Sequence, residues 1–227
     1  MMNAKSILDN LLGGVAGAGS GLAVKARDAW QDQTPLAQGA VAGGLLGVLL
    51  SGNARRLIGS GIKIGGAALI GGLAYQAYQN WKSGKPTGAG AGLAALPAPE
   101  GSEFQPVGAA ANDLAERLLQ AMVAAAKSDG HVTLAERRRI DGQLARLGLA
   151  AEAQALIAAE LDSALDVGRI AALARSDAEA AQIYAASLLV VDPDGPAERG
   201  YLALLADRLN LDPGLVAHIH GQTSRLV

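Results

Sequence analysis

Two short stretches of this 227-residue chain hold acidic residues at spacings that suit cation binding. In residues 122–141, MVAAAKSDGHVTLAERRRID, Asp129 and Gly130 interrupt a small-residue helix and Glu136 falls early in the next. In residues 188–202, LLVVDPDGPAERGYL, the break is Asp192, Asp194 and Gly195, and Glu198 follows in the new helix. An EF-hand loop needs oxygen ligands at positions 1, 3, 5, 7, 9 and 12 around a glycine at 6. Aligning Gly130 with that glycine puts Asp129 at 5 and Glu136 at 12, but Ala125 and Lys127 then fill positions 1 and 3. In the second stretch Asp192, Asp194 and Glu198 fit, while Val190 and Tyr201 fill positions 1 and 12. Neither loop can be an independent EF-hand. One shared site for a divalent cation such as calcium remains open, with Asp129, Glu136, Asp192, Asp194 and Glu198 as its candidate ligands.

The same residues have a complete explanation without a metal. Gly130 permits a turn with positive φ, Thr133 can cap a helix, and Glu136 three residues later completes an S/T-x-x-E capping box. A ligand reading has to beat that one.

AAAKSDGHVTLAERRRI and VDPDGPAERGYLALLADRLNLDP resemble the two signature stretches of the YebE-like family of inner-membrane proteins of unknown function. That family is similar to the tellurite-resistance TerB domain, an all-helical fold with acidic residues at two helix breaks. The likeness spans residues 112–227. It implies an all-helical C-terminal domain, metal ligands among the five acidic residues above, and a place at the bacterial inner membrane with this domain in the cytoplasm.

Stepping outward from the breaks, composition describes the scaffold that must position them. Half of the residues are hydrophobic and only 3% are aromatic, so the core must be built from Ala, Leu, Val and Ile. There is no cysteine, which excludes disulfides, thiolate catalysis and cysteine zinc sites. Residues 1–100 carry eight Lys/Arg against four Asp/Glu, whereas residues 101–227 carry eleven against seventeen. A basic, glycine-rich half joined to an acidic, helical half reads as two modules.

Near the N-terminus Ile7, Leu8, Leu11, Leu12 and Val15 form an apolar helical face, expected as a short interfacial or packing helix. Gly13 and Gly14 break it too early for a cleaved signal peptide. Gly13, Gly17 and Gly21 are spaced four apart, as are Gly39, Gly43 and Gly47, and Gly61 and Gly65. Such zippers let helix backbones approach closely in a bilayer. Residues 33–53 hold no charge, and about 20 helical residues cross a hydrocarbon core of about 30 Å. A second charge-free stretch, 64–81, is a poorer span because Gln76, Gln79 and Asn80 weaken its end. Trp30, Tyr75, Tyr78 and Trp81 would form an aromatic belt at one interface of a hairpin. The bland alternative is a soluble Ala/Gly helical hairpin buried in an oligomer.

Residues 1–82 are thus expected as a glycine-rich helical membrane anchor, 83–108 as a flexible Pro/Gly linker, and 109–227 as a TerB-like bundle of about seven short helices. Within the linker Phe104, the lone phenylalanine, could dock on a groove. In the bundle, Leu114, Leu118 and Met122 line a first helix; Ile140, Leu144 and Leu147 a second; Leu156, Ile157 and Leu161 a third; Val167 and Ile170 a fourth. Ser176 and Glu179 box the start of a fifth, Pro196 opens a sixth and Asp212-Pro213 a seventh. The fold class is all-α, and no segment reads as a strand.

Other chemistry is sparse. His218 and His220 point to different helix faces and read as surface residues; Arg137, Arg138 and Arg139 read as a solvated face. An acidic domain poor in aromatics is not a nucleic-acid binder. No Ser/His/Asp constellation, P-loop or dinucleotide fingerprint occurs, so a non-enzymatic role is expected and a hydrolase stands last. Two readings lead: a membrane-anchored, self-associating scaffold that recruits a protein partner, and a divalent-metal-responsive sensor.

Overall fold

The computed structural model describes residues 4–5, 8–9, 66–87, 98–128, 137, 151–191 and 195–224. They form seven helices, and among the described residues there is no strand. In chain order these are α1 (Gly66–Lys82), α2 (Gly108–Ala126), α3 (Ala151–Asp162), α4 (Val167–Ala171), α5 (Asp177–Leu188), α6 (Pro196–Arg208) and α7 (Pro213–Thr223). The expected helix through Ile140, Leu144 and Leu147 lies outside the described residues.

Helix α5 is the axis of the fold. Its sequence, DAEAAQIYAASL, is small or apolar on every face, and a helix without a polar face must be covered on all sides. Ten of its residues are buried, and α1, α2, α6 and α7 all pack on it. Five alanines of α5 and six of α2 are buried, which lets the two backbones approach closely and compensates for the scarcity of large side chains. Leu118, Leu119, Met122, Ile183, Leu205 and Ile219 supply the volume.

Helix starts follow the local chemistry of the sequence. Ser176 Oγ accepts from the Glu179 N–H at 3.3 Å, and the Glu179 carboxylate reaches back to the Arg175 N–H at 2.9 Å. The same carboxylate holds Arg117 of α2 at 2.6 Å, so one residue caps α5 and pins it to its neighbour. Asp212 accepts from the Gly214 N–H at 2.7 Å at the start of α7, with Pro213 in the first turn. Its Oδ1 also accepts from Trp81 Nε1 at 3.1 Å, tying the end of α1 to the start of α7.

The second charge-free stretch of the sequence is α1, and it lies within the core. Ile70, Leu73, Ala74 and Ala77 are buried against α5 and α7. It has 17 residues, and among the described residues no helix is long and apolar enough to cross a membrane. Tyr75, Tyr78 and Trp81, expected at a membrane interface with Trp30, which lies outside the described residues, pack with Phe104: it lies edge-on to Tyr75, with ring centroids 5.5 Å apart, and 5.6 Å from Tyr78, which meets Trp81. The Pro/Gly-rich stretch therefore lies against the helices where it carries Phe104. Gln182, fully buried on α5, donates to the Glu103 carbonyl at 3.1 Å and completes that attachment. The stretch 33–53, with its glycines, lies outside the described residues.

Candidate functional site

Lys127 ends α2 with its side chain inside the protein, 6% exposed. Its ammonium donates to the Glu160 carbonyl at 2.6 Å, the Ser163 carbonyl at 2.6 Å and Ser163 Oγ at 3.3 Å. These carbonyls belong to the last turn of α3 and the residue after it. Lys127 is thus a C-cap supplied by another helix, its charge facing the negative end of the α3 dipole. Burial lowers its pKa, and the Glu160 carboxylate opposes that shift. Glu160, also 6% exposed, pairs with Arg169 of α4 and lies 3.2 Å from Ser163 Oγ.

The cluster extends to α5 and α6. Burial pushes the Tyr201 hydroxyl up to about 12, with the neighbouring Ser187 hydroxyl acting in the opposite direction and Glu160 and Arg169 close enough to be felt. Every cation here is committed to a carbonyl or a carboxylate. The chemistry of the arrangement is that of a keystone joining the ends of α2, α3, α4, α5 and α6.

This keystone fixes the directions of the two helices that lead into the acidic breaks. Arg117 of α2 meets Glu179 of α5 at one level, and ten residues later Lys127 shares the Glu160 neighbourhood with Ser187, eight residues along α5. Antiparallel helices at about 1.5 Å per residue would put those two residues about 27 Å apart. The helices are therefore parallel, and Ser128 and Val191, the last described residues before each break, leave from the same end of the bundle.

Of the five acidic candidates, Asp129, Glu136, Asp192 and Asp194 lie outside the described residues, as does Thr133. Glu198 is described, in the first turn of α6. Its carboxylate folds back over Gly195 so closely that a Cβ there would collide with it, with the carboxyl carbon at 2.7 Å. Glu198 is therefore turned towards its own helix start. Among the described residues no group of three His, Cys, Asp or Glu could hold a metal.

The reading of His218 and His220 as surface residues is corrected. His218 is buried, 6% exposed, and the half-buried His220 shares a 2.8 Å hydrogen bond with the Tyr184 hydroxyl. Burial lowers the His220 pKa and pushes Tyr184 up to about 12. Arg137 is half-buried and pairs with the exposed Asp162, Nη2 to Oδ2 at 3.1 Å. Arg138 and Arg139 lie outside the described residues. Sequence reasoning missed Lys127 and Glu160 as structural residues. The available signal was Glu160 on the same helical face as Ile157 and Leu161, where a charge requires a partner.

Over 96 residues the chain is 34% identical to "Uncharacterized protein in ampR 5'region" of Yersinia enterocolitica, covering 42% of this chain and 69% of that protein. No solved structure matches. The family described as "Protein of unknown function (DUF533)", known to contain a TerB-like domain, matches over residues 35–223, more than half of the chain, and the protein belongs to it.

Proposed function

We propose that this protein is a membrane-anchored binding or scaffold protein. In this reading its glycine-zipper segment self-associates in the bacterial inner membrane, and its TerB-like helical body recruits a protein partner on the cytoplasmic side. One observation carries it: residues 33–53 hold no charge and place Gly39, Gly43 and Gly47 four apart, enough helix for a span with a face for close packing. Fractionation tests the anchor, since recovery of the full-length chain in the soluble fraction without detergent would end this reading. Gly43→Leu should weaken self-association on sizing in detergent while leaving the helical body folded. An unchanged oligomer would put the glycines towards lipid.

The second reading is a divalent-cation sensor, favoured by the parallel course of α2 and α5, from whose common end both acidic breaks leave. Asp129, Glu136, Asp192 and Asp194 would supply its oxygens, together with Glu198 if it turns away from its helix start. A cation that binds the folded state alone raises the melting temperature by mass action. Millimolar calcium, magnesium, manganese or zinc should then stabilise the full-length chain, and Asp129→Asn or Asp194→Asn should each abolish the gain. A flat response to all four ions sinks the sensor.

A further inference from the structure

The N-terminal residues are built into the helical body. Ala4 and Leu8, four apart on one helical face, are fully buried in its core. The Lys5 N–H donates to Asn112 Oδ1 at 3.3 Å, at the start of α2. Asp9 Oδ1 accepts from the Ala67 N–H at 3.1 Å, and its Oδ2 holds the Lys5 ammonium at 2.7 Å. Ala67 lies in the first turn of α1, where backbone N–H groups have no partner within the helix and a carboxylate is favoured by the dipole. Asp9 is thus a helix cap contributed from 58 positions away.

The chain between these anchors, residues 10–65, holds the charge-free stretch 33–53 and every four-residue glycine series noted in the sequence. Its two ends meet at the Asp9–Ala67 hydrogen bond. We propose that the helical body, with both Asp9 and Ala67, sits on one face of the bilayer, so that the chain leaves and rejoins it on the same side. A single crossing is excluded, because it would separate Asp9 from Ala67 by a hydrocarbon core of about 30 Å. Residues 33–53 therefore need a return leg or a re-entrant path. Residues 10–24 are also free of charge and carry Gly13, Gly17 and Gly21, and Lys25, Arg27, Asp28 and Asp32 separate the two stretches. The return leg is not the second charge-free stretch, whose residues 66–81 belong to the body.

This inference rests on the membrane reading, and the two can fail separately. The absence of cysteine makes single-cysteine labelling clean. Full-length Asn3→Cys and Lys85→Cys variants would be placed in sealed vesicles of known orientation, washed at alkaline pH, and treated with a membrane-impermeant maleimide. Retention in the vesicles with both positions labelled from the same face is the expected result. Retention with labelling from opposite faces overturns the inference and leaves the anchor standing. Release by the wash overturns the anchor and, with it, the bilayer path. A cysteine pair at Asp9 and Ala67, joined by a short bismaleimide, reads the tie itself in either case; no cross-link would remove the geometric basis of the inference.

Discussion

At the scale of single residues, the decisive groups are buried polar side chains whose partners come from other helices. Lys127 satisfies two carbonyls at the end of α3, and no local rule assigns it that task. Lys127→Ala leaves those acceptors short of a donor, and should cost about 2–3 kcal/mol in chemical denaturation. A loss below 0.5 kcal/mol, on the order of an ordinary surface change, would show that water replaces the ammonium without penalty. His220 carries a pH dependence with a definite sign. Its folded-state pKa lies below the ordinary 6.5, so on acidification the unfolded chain takes up the proton first. Its contribution to stability is complete above that value, falls as the pH drops below it, and levels off beneath the folded-state pKa. Melting curves between pH 7.5 and about pH 5 should therefore fall more steeply for the parent than for His220→Phe. Equal slopes would remove His220 from the account.

At the scale of elements, close approach is the recurrent theme. Gly71 of α1 faces the backbone of Phe104: a Cβ there would overlap the Phe104 carbonyl oxygen and lie 3.2 Å from its carbon. Backbone cannot swing aside as a flexible side chain can. Gly71→Ala should therefore destabilise the fold by about 2 kcal/mol, despite alanine's higher helix propensity. The change should also increase the exposure of Phe104 and Tyr75 to quenchers or labelling reagents. A neutral or stabilising result would mean that residues 98–107 do not press on α1. In the sequence Gly71 is one of several glycines in the charge-free stretch 64–81. Only its neighbour across the interface reveals that it serves packing inside the body.

For the whole molecule, α1, Ala4 and Leu8 contribute to the same core as α2 and α5. A fragment of residues 109–227 lacks the cover that α1 gives to α5 and α7. It should melt well below a fragment of residues 66–227 and bind hydrophobic dyes more strongly, because Ile183, Ile219 and their neighbours lose an apolar partner. Equal melting temperatures for the two fragments would show that the C-terminal bundle is complete without α1. The cation experiments belong on the full-length chain for the same reason.

What the sequence determined by itself was local. Helical periodicity, Ser176 with Glu179, Pro196 and Asp212-Pro213 located helix starts, because capping and proline chemistry act within a few residues. The scarcity of aromatics correctly required a core of small aliphatic side chains. The two acidic breaks were legible as breaks, although four of their five candidate ligands lie outside the described residues. Tertiary structure decided whatever depends on partners distant in the chain. A charge-free, glycine-bearing stretch has the same pattern whether it faces lipid or a helix, since both are apolar solvents for its side chains, and burial on α5 and α7 settled it for α1. The fate of Phe104 depended on Tyr75 and Tyr78 being within reach, that of Lys127 on the open end of α3, and that of Asp9 on an N–H group 58 residues away. A local sequence window contains none of these pairings, because they form when the chain folds back on itself and buried polar groups must find each other or pay the full cost of leaving water.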